Sequence, residues 1–188
     1  MQPILVAYAT TEGHTRKVAE FIAERLRIRG HRVELVDVAT PDAQAATGPY
    51  QAAFVGGSVH QHKLQDALLR FAQDNRAWLA AMPVALFSVS LDAAAGDADG
   101  RGTGRRLLDD FVAQTGLRAW ATRCIAGALK YTQYDYFKRL VMRLIAQQRG
   151  GSTDTSVDHE YTDWDDVEAF VDEFLATAHV PGSGPAKT

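Results

Sequence analysis

The sequence contains little of what several classes of protein require. Its single cysteine, Cys124, excludes an internal disulfide and a thiolate metal cluster, and this agrees with a reducing compartment. Neither sign of charge dominates: 20 basic and 23 acidic residues leave a net charge of −3, which argues against nucleic acid as a partner of the whole molecule. No apolar run approaches the roughly 20 residues that span a bilayer, and the first residues lack the basic segment of a signal peptide. Contact with a membrane surface stays open.

Short apolar runs alternate along the chain with longer stretches of helical period, and 188 residues suit one domain. Strands are expected at 4–9, 33–38, 52–57, 84–89 and 124–129, and helices at 15–29, 64–80, 105–115 and 163–178. Five strands that alternate with helices predict an α/β fold, in which helices cover both faces of a parallel sheet. This number of strands fits the doubly wound order 2-1-3-4-5.

One part of the chain exceeds what that minimal fold needs. We expect a single domain over residues 1–178, with an inserted segment at 130–161 between the fifth strand and the last helix. Thr162 or Asp163 is the expected N-cap of that helix. The tail, 179–188, is rich in proline and glycine and is expected to be disordered.

The turn between the first strand and the first helix is the first candidate site. In open α/β sheets, ligands bind beyond the carboxyl ends of the strands, at the switch point. A helix that begins there presents unpaired backbone N–H groups to an anion. Threonine hydroxyls and a glycine make phosphate binding one interpretation, and an ordinary threonine-rich helix start is the other. The residues of this loop are Thr10, Thr11, Glu12, Gly13, His14 and Thr15.

Other chemistry finds no support in the sequence. There is no G-x-x-x-x-G-K-[ST] of a P-loop NTPase, and no G-x-G-x-x-G follows the first strand as in a dinucleotide site. A phosphorylatable aspartate would end the third strand of a receiver domain, whereas this chain has Gly56, Gly57 and Ser58 there. The loops after the third and fourth strands, 57–63 and 88–104, are the remaining candidates at the same sheet edge.

The inserted segment contains an amphipathic helix with basic flanks. Over 137–149, apolar residues recur at i, i+3, i+4, i+7 and i+8, and no acidic residue occurs between 136 and 153. Such a helix is typical of a membrane-surface or partner-binding element. The alternative is a helix that packs on the domain and turns its basic face outward. The basic residues concerned are Lys130, Lys138, Arg139 and Arg143.

Three later motifs, taken with the threonine loop, narrow the interpretation. They occur at 127–131 (GALKY), 150–155 (GGSTDT) and 161–164 (YTDW). In this order they resemble the flavodoxin-like, menaquinone-dependent protoporphyrinogen IX dehydrogenases of bacterial haem synthesis. The resemblance extends over about residues 3–176, and it implies a flavodoxin-like fold.

The resemblance implies FMN as the cofactor, with its phosphate on the loop 10–15. Two further loops would flank the flavin ring, and neither offers an obvious aromatic residue for stacking. Tyr131, Tyr134 or Tyr136, beyond the fifth strand, would supply one. The second loop comprises Ser58, Val59, His60 and Gln61, and the third comprises Ser88, Val89, Ser90, Leu91 and Asp92.

The resemblance also implies a reaction. FMN would oxidise protoporphyrinogen IX to protoporphyrin IX and pass the electrons to menaquinone or ubiquinone, and no protein side chain is assigned as acid or base. Lys130, Lys138, Arg139 and Arg143 would meet the substrate and an anionic membrane surface. The protein would be cytoplasmic and peripherally associated with the inner face of the cell membrane, and the resemblance also allows a homo-oligomer.

Two other functions are compatible with the same fold. One is a flavodoxin-type electron carrier, and the other is an NAD(P)H:quinone reductase. The second loop and its surroundings are neutral to basic, with His60, His62 and Lys63. Positive charge near the flavin favours its reduced, negatively charged form, and this argues against a low-potential carrier.

Overall fold

The computed structural model describes residues 2–41, 46, 48–60, 63–91, 93, 98–129 and 159–180. Strands and helices alternate through these ranges. Their bounds are β1 Ile4–Ala9, α1 His14–Ile28, β2 Val33–Asp37, β3 Ala52–His60, β4 Lys63–Leu64, α2 Asp66–Asp74, α3 Arg76–Leu79, β5 Val84–Ser90, α4 Ala98–Thr115, β6 Ala119–Ala126, β7 Ala128–Leu129, β8 His159–Glu160 and α5 Trp164–Thr177.

The five longer strands form one parallel sheet in the order β2-β1-β3-β5-β6. Counted among these five alone, the order is the doubly wound 2-1-3-4-5 that the sequence predicts. The short strand β4 pairs antiparallel with the end of β3, and β7 and β8 form a separate antiparallel pair. The sheet order places the carboxyl ends of β1, β3 and β5 side by side, where this fold binds its ligands.

Helices cover both faces of the sheet, because the central strands are apolar on both sides. In β1 all six residues are buried. Ile4 and Val6 pack with α1 and α5, whereas Leu5 and Ala7 pack with α2 and α4. Phe54 of β3 makes edge-to-face contacts with two phenylalanines of α5, at 5.5 and 4.7 Å between ring centroids. Fully burying one such side chain contributes about 1.5–3 kcal/mol, so these two faces hold the sheet together.

Most predicted elements are confirmed within a few residues, and the last helix is confirmed with its cap. Asp163 is the N-cap of α5, and its side chain accepts a hydrogen bond from the Asp166 N–H at 3.0 Å. The predicted helix 15–29 is α1, and Gly30 follows it with a φ of +84°, in the left-handed conformation that ends helices.

The prediction of a single helix at 64–80 is wrong, because the structure has the short strand β4 and two shorter helices there. Asn75 divides the helices. Its Nδ2 donates to the Phe71 carbonyl at 2.9 Å, and its Oδ1 accepts from Trp78 Nε1 at 3.0 Å. An asparagine that binds backbone and neighbouring groups in this way competes with continuous helix.

Two further boundaries differ from expectation. The loop expected at 92–104 ends earlier, since α4 begins at Ala98. Gly104 serves close packing there, because a Cβ at this position would lie 2.9 Å from Cys124 Sγ. The fifth strand expected at 124–129 runs instead over Ala119–Ala126, and β7 is separate. The start of β6 is half-exposed and mixes alanine, tryptophan and threonine, so it lacks the apolar run that marks the central strands.

The helix expected at 137–149 lies outside the described residues. The chain is described as far as Val180, which still contacts the core beside α5. The division of the chain into a domain and a tail at residue 178 stays a prediction.

His31, which follows α1, makes stability depend on pH. Its side chain is buried, its Nδ1 has no hydrogen-bond partner within the described residues, and burial together with the nearby Arg29 lowers its pKa. The folded state therefore binds this proton less readily than the unfolded state. The stability is complete above the unfolded pKa of about 6.5 and is lost as the pH falls through the lower folded pKa.

We expect His31→Leu to reduce the loss of stability between pH 7.5 and pH 5.5, measured as the shift in the urea midpoint. His179 is exposed, so His179→Asn is the matched control and should keep the wild-type shift. Equal shifts in all three proteins would contradict this assignment.

Candidate flavin site at the carboxyl edge of the sheet

Three loops begin next to one another at the carboxyl edge of the sheet. The register pairs Ala9 at the end of β1 with Gly57 of β3, and Ser58 of β3 with Val89 of β5. The threonine loop, the end of β3 and the end of β5 are therefore neighbours, although they lie far apart in sequence. The three loops predicted to hold one ligand do start from a common edge.

The loop between β1 and α1 leaves the start of the helix open to an anion. Gly13 is the N-cap and has a φ of +89°, a conformation that favours glycine. No side chain caps α1, and its first turn contains no acidic residue. The N–H groups of that turn have no partner within the helix, and the helix dipole adds partial positive charge. This arrangement suits a phosphate group.

The threonine hydroxyls complete this arrangement. Thr15 Oγ1, in the first turn of α1, is buried and has no hydrogen-bond partner among the described residues. Thr10 Oγ1 accepts from the Gly13 N–H at 2.9 Å, so its own hydrogen is left to donate. A buried hydroxyl without a partner costs about 1–3 kcal/mol. An acceptor-rich phosphate meets this need, so the residues present fit the phosphate of FMN.

The imidazole of His14 contacts the start of the last helix. Its Nε2 lies 2.7 Å from Thr162 Oγ1, and the Thr162 hydroxyl donates to the Ala126 carbonyl at 2.7 Å. Because Thr162 has one hydrogen and gives it to the carbonyl, His14 Nε2 is the donor of the first bond. Thr162 was missed as a site residue in the sequence. A role for His14 in binding the cofactor stays a prediction.

The second loop begins within β3, whose end pairs antiparallel with β4. Val59 pairs with Leu64, and His60 pairs with Lys63. Val59 is half-buried. Ser58 Oγ accepts a hydrogen bond from Gln65 Nε2 at 2.7 Å. Gln65, directly before α2, is a second residue that the sequence analysis missed, because the helix expected at 64–80 placed it inside the first helical turn.

The third loop begins later than expected, because β5 continues to Ser90. Ser88 is fully buried and its hydroxyl has no partner within the described residues, while the Val89 side chain packs in the core. Ser90 Oγ accepts from the Ala93 N–H at 3.2 Å, and Leu91 is half-buried. Ser90 and Leu91 are thus the residues of the third loop that lie at the carboxyl end of β5.

Several predicted site residues lie outside the described part of the chain, and their roles stay predictions. They are Gln61, Asp92, Lys130, Tyr131, Lys138, Arg139 and Arg143. For His60, the structure describes the backbone alone. In the described ranges, no cluster of three His, Cys, Asp or Glu residues is arranged to hold a metal ion, and no helix is long and apolar enough to cross a membrane.

The ends of the inserted segment are held next to the threonine loop. The insertion leaves after β7 and returns at β8, and these strands pair with each other. Glu160 of β8 forms an ion pair with Lys17 of α1 and accepts from Trp164 Nε1 at 2.7 Å. Its hydrogen bond to Lys17 holds the pKa of the Glu160 carboxyl below its ordinary value. Both ends of the insertion therefore lie at the same edge of the sheet as the candidate phosphate site.

Comparison with known proteins identifies the family. A family model described as a flavodoxin domain matches residues 5–156. The chain belongs to the flavodoxin family. FMN is its cofactor, and the protein is a flavin-dependent oxidoreductase. The flavodoxin-like fold that the sequence predicts is thereby confirmed.

Two relatives are similar in sequence to this chain over more than nine-tenths of its length. A protein from Leishmania major named protoporphyrinogen IX dehydrogenase [quinone] is 30% identical over 173 residues, which cover 92% of this chain and 74% of the relative. A protein of the same name from Escherichia coli strain K12 is 28% identical, covering 94% of this chain and 97% of the relative.

Solved flavodoxin structures share the fold. A short-chain flavodoxin associated with a non-canonical PDU bacterial microcompartment superposes with a TM-score of 0.59 at 14% identity, covering 95% of this chain and 99% of the other. The oxidised form of flavodoxin 2 from Bacillus cereus gives a TM-score of 0.51 at 19% identity, covering 77% of this chain and 98% of the other.

Proposed function

We propose that this flavodoxin-family oxidoreductase oxidises protoporphyrinogen IX to protoporphyrin IX and delivers the electrons to a membrane quinone, menaquinone or ubiquinone. The observation that carries the proposal is the similarity to relatives of that name over more than nine-tenths of the chain, a span that includes the inserted segment. The open start of α1 beside the root of that insertion supports it.

FMN, when bound, supplies the two-electron redox chemistry, and the protein positions it. We place its phosphate at the first turn of α1, with Thr10, Thr11 and Thr15 as hydroxyl donors. Gly13 and Glu12 contribute backbone there, and Gly13 lets the chain approach the phosphate closely. We place the ring against the ends of β3 and β5, near Ser58 and Ser90.

The inserted segment is the part of the chain that we assign to substrate and membrane. Protoporphyrinogen IX is an apolar macrocycle with two propionate groups, and quinones reside in the bilayer. Cations and a route to the membrane surface are therefore required beside the flavin, and Lys130, Lys138, Arg139 and Arg143 would supply them. The β7–β8 pair and the Lys17–Glu160 ion pair hold the two ends of the insertion beside the threonine loop. In the cell, we place the protein in the cytoplasm, bound peripherally to the inner face of the membrane.

The experiment that tests this proposal follows porphyrin fluorescence under anaerobic conditions. Oxidation to the porphyrin removes six electrons, so the flavin must be reduced and reoxidised three times for each product molecule. We expect fluorescence only when FMN and a quinone are both present. Product formed at the same rate without a quinone would contradict the proposed acceptor.

A further inference from the structure

Gln65 connects the first two loops of the candidate flavin site. It lies directly before α2, and its Nε2 is 2.6 Å from Thr11 Oγ1 and 2.7 Å from Ser58 Oγ. Thr11 belongs to the threonine loop after β1, and Ser58 belongs to the end of β3. One side-chain amide thus binds a hydroxyl from each loop.

We propose that Gln65 is a positioning residue that orients the hydroxyls of Thr11 and Ser58 as hydrogen-bond donors toward FMN. The inference rests on the proposed placement of FMN between these loops. Gln65 acts through the two hydroxyls, and it makes the site selective for an acceptor-rich, anionic ligand.

The chemistry of the three groups supports this role. The amide of Gln65 has two N–H donors, and each hydroxyl has one hydrogen and two lone pairs. When the amide nitrogen donates to both oxygens, each hydroxyl keeps its hydrogen for another acceptor, and within the described chain neither hydroxyl donates elsewhere. A hydroxyl that already accepts a hydrogen bond is also polarised into a better donor.

The opposite arrangement explains why the amide matters. If an acceptor stood in place of the amide nitrogen, it would take both hydroxyl hydrogens. Thr11 would then present lone pairs to a phosphate, which has acceptor oxygens alone, and the two would repel. Thr10, in the same turn of chain, shows the favourable pattern as well, since its oxygen accepts from the Gly13 N–H.

Two substitutions at Gln65 distinguish the orientation of the two hydroxyls from simple packing of the side chain against them. Gln65→Met keeps the length of the side chain and removes both hydrogen bonds, whereas Gln65→Glu replaces the donor by an acceptor. A carboxylate before α2 interacts favourably with the start of that helix, so Gln65→Glu should not lower the melting temperature of the apoprotein. The matched controls are Gln73→Met and Gln73→Glu, because Gln73 lies exposed at the other end of α2.

The readout is the dissociation constant of FMN, measured by quenching of its fluorescence on titration with apoprotein. We expect Gln65→Met to weaken FMN binding about tenfold, which corresponds to the loss of one hydrogen bond to a charged group. We expect Gln65→Glu to weaken it about a hundredfold, which corresponds to the loss of two such bonds. The Gln65→Glu loss should persist in high salt, which screens a through-space repulsion. The Gln73 variants should bind FMN like the wild type.

A double-mutant cycle tests whether Gln65 acts through the hydroxyls. In a protein that carries Thr11→Val and Ser58→Ala, Gln65→Met should change FMN affinity less than about twofold, because its targets are gone. If that background does not fold, Thr11→Val alone serves, and the cost of Gln65→Met should shrink there. An undiminished cost in either background would overturn the inference.

The remaining outcomes separate this inference from the proposed site. Wild-type protein that prefers FMN to riboflavin, combined with Gln65 variants that bind FMN normally, would refute the role of Gln65 and leave the site intact. Equal binding of FMN and riboflavin by the wild type would refute the placement of the phosphate itself. A loss of affinity in the Gln73 variants equal to that in the Gln65 variants would also refute the specific role.

Discussion

The apoprotein should bind FMN at least about a hundredfold more tightly than it binds riboflavin, which lacks the phosphate. The reason is that α1 begins with a left-handed glycine, no capping side chain and a buried threonine hydroxyl without a partner in the described chain. Each hydrogen bond to a charged group contributes about 1.5–3 kcal/mol, and about 1.4 kcal/mol is a factor of ten in affinity. Fluorescence titration with the two flavins measures the difference directly. Equal affinities would contradict the assignment of this loop to the phosphate.

Thr15→Ala sharpens the same prediction. Removing this hydroxyl should weaken FMN binding by about 1.5–3 kcal/mol and leave riboflavin binding unchanged. The melting temperature of the apoprotein should not fall, because the hydroxyl has no partner to lose among the described residues. Thr40→Ala is the control at the same edge of the sheet, since that hydroxyl donates to the Asp37 carbonyl at the end of β2.

Charge reversal in the inserted segment should abolish binding to anionic vesicles. Each basic residue near such a surface contributes about 1 kcal/mol, so changing Arg139 and Arg143 to glutamate removes two favourable charges and adds two repulsive ones. Cosedimentation with vesicles rich in anionic lipid measures the loss. The flavin absorption spectrum should remain that of the wild type.

The control for this prediction reverses charge elsewhere on the surface. Arg105 and Arg106 are exposed on α4, and their change to glutamate should leave vesicle binding nearly intact. Vesicle binding that ignores both the Arg139 and Arg143 reversal and high salt would contradict an electrostatic role of the insertion.

Local sequence was enough for the central elements of the fold. Ile4–Ala9 is a run of six apolar residues, and the structure has a buried strand over the same six residues. The threonine loop was equally visible, because a turn directly between a strand and a helix fixes where the helix begins. The edge strand β6 was harder to predict, since it is half-exposed at its start and carries no apolar run over Ala119–Arg123.

The contacts that join the loops could not be predicted from local pattern. Gln65 lies 54 residues from Thr11, and His14 lies 148 residues from Thr162. No periodicity links such pairs, because they meet only after β1, β3 and β6 have taken their places in the sheet. The candidate loops were therefore predictable, whereas the side chains that orient them became visible with the tertiary structure.

The most direct test of the proposed function compares two electron donors to the FMN-loaded protein without oxygen. Bleaching of the flavin absorbance is followed after mixing with protoporphyrinogen IX or with NAD(P)H, and a quinone is then added to reoxidise the flavin. We predict rapid bleaching by the porphyrinogen, with porphyrin fluorescence appearing in step, and slow bleaching by NAD(P)H. Rapid reduction by NAD(P)H without reduction by the porphyrinogen would contradict the account and make the protein a quinone reductase built on the flavodoxin fold.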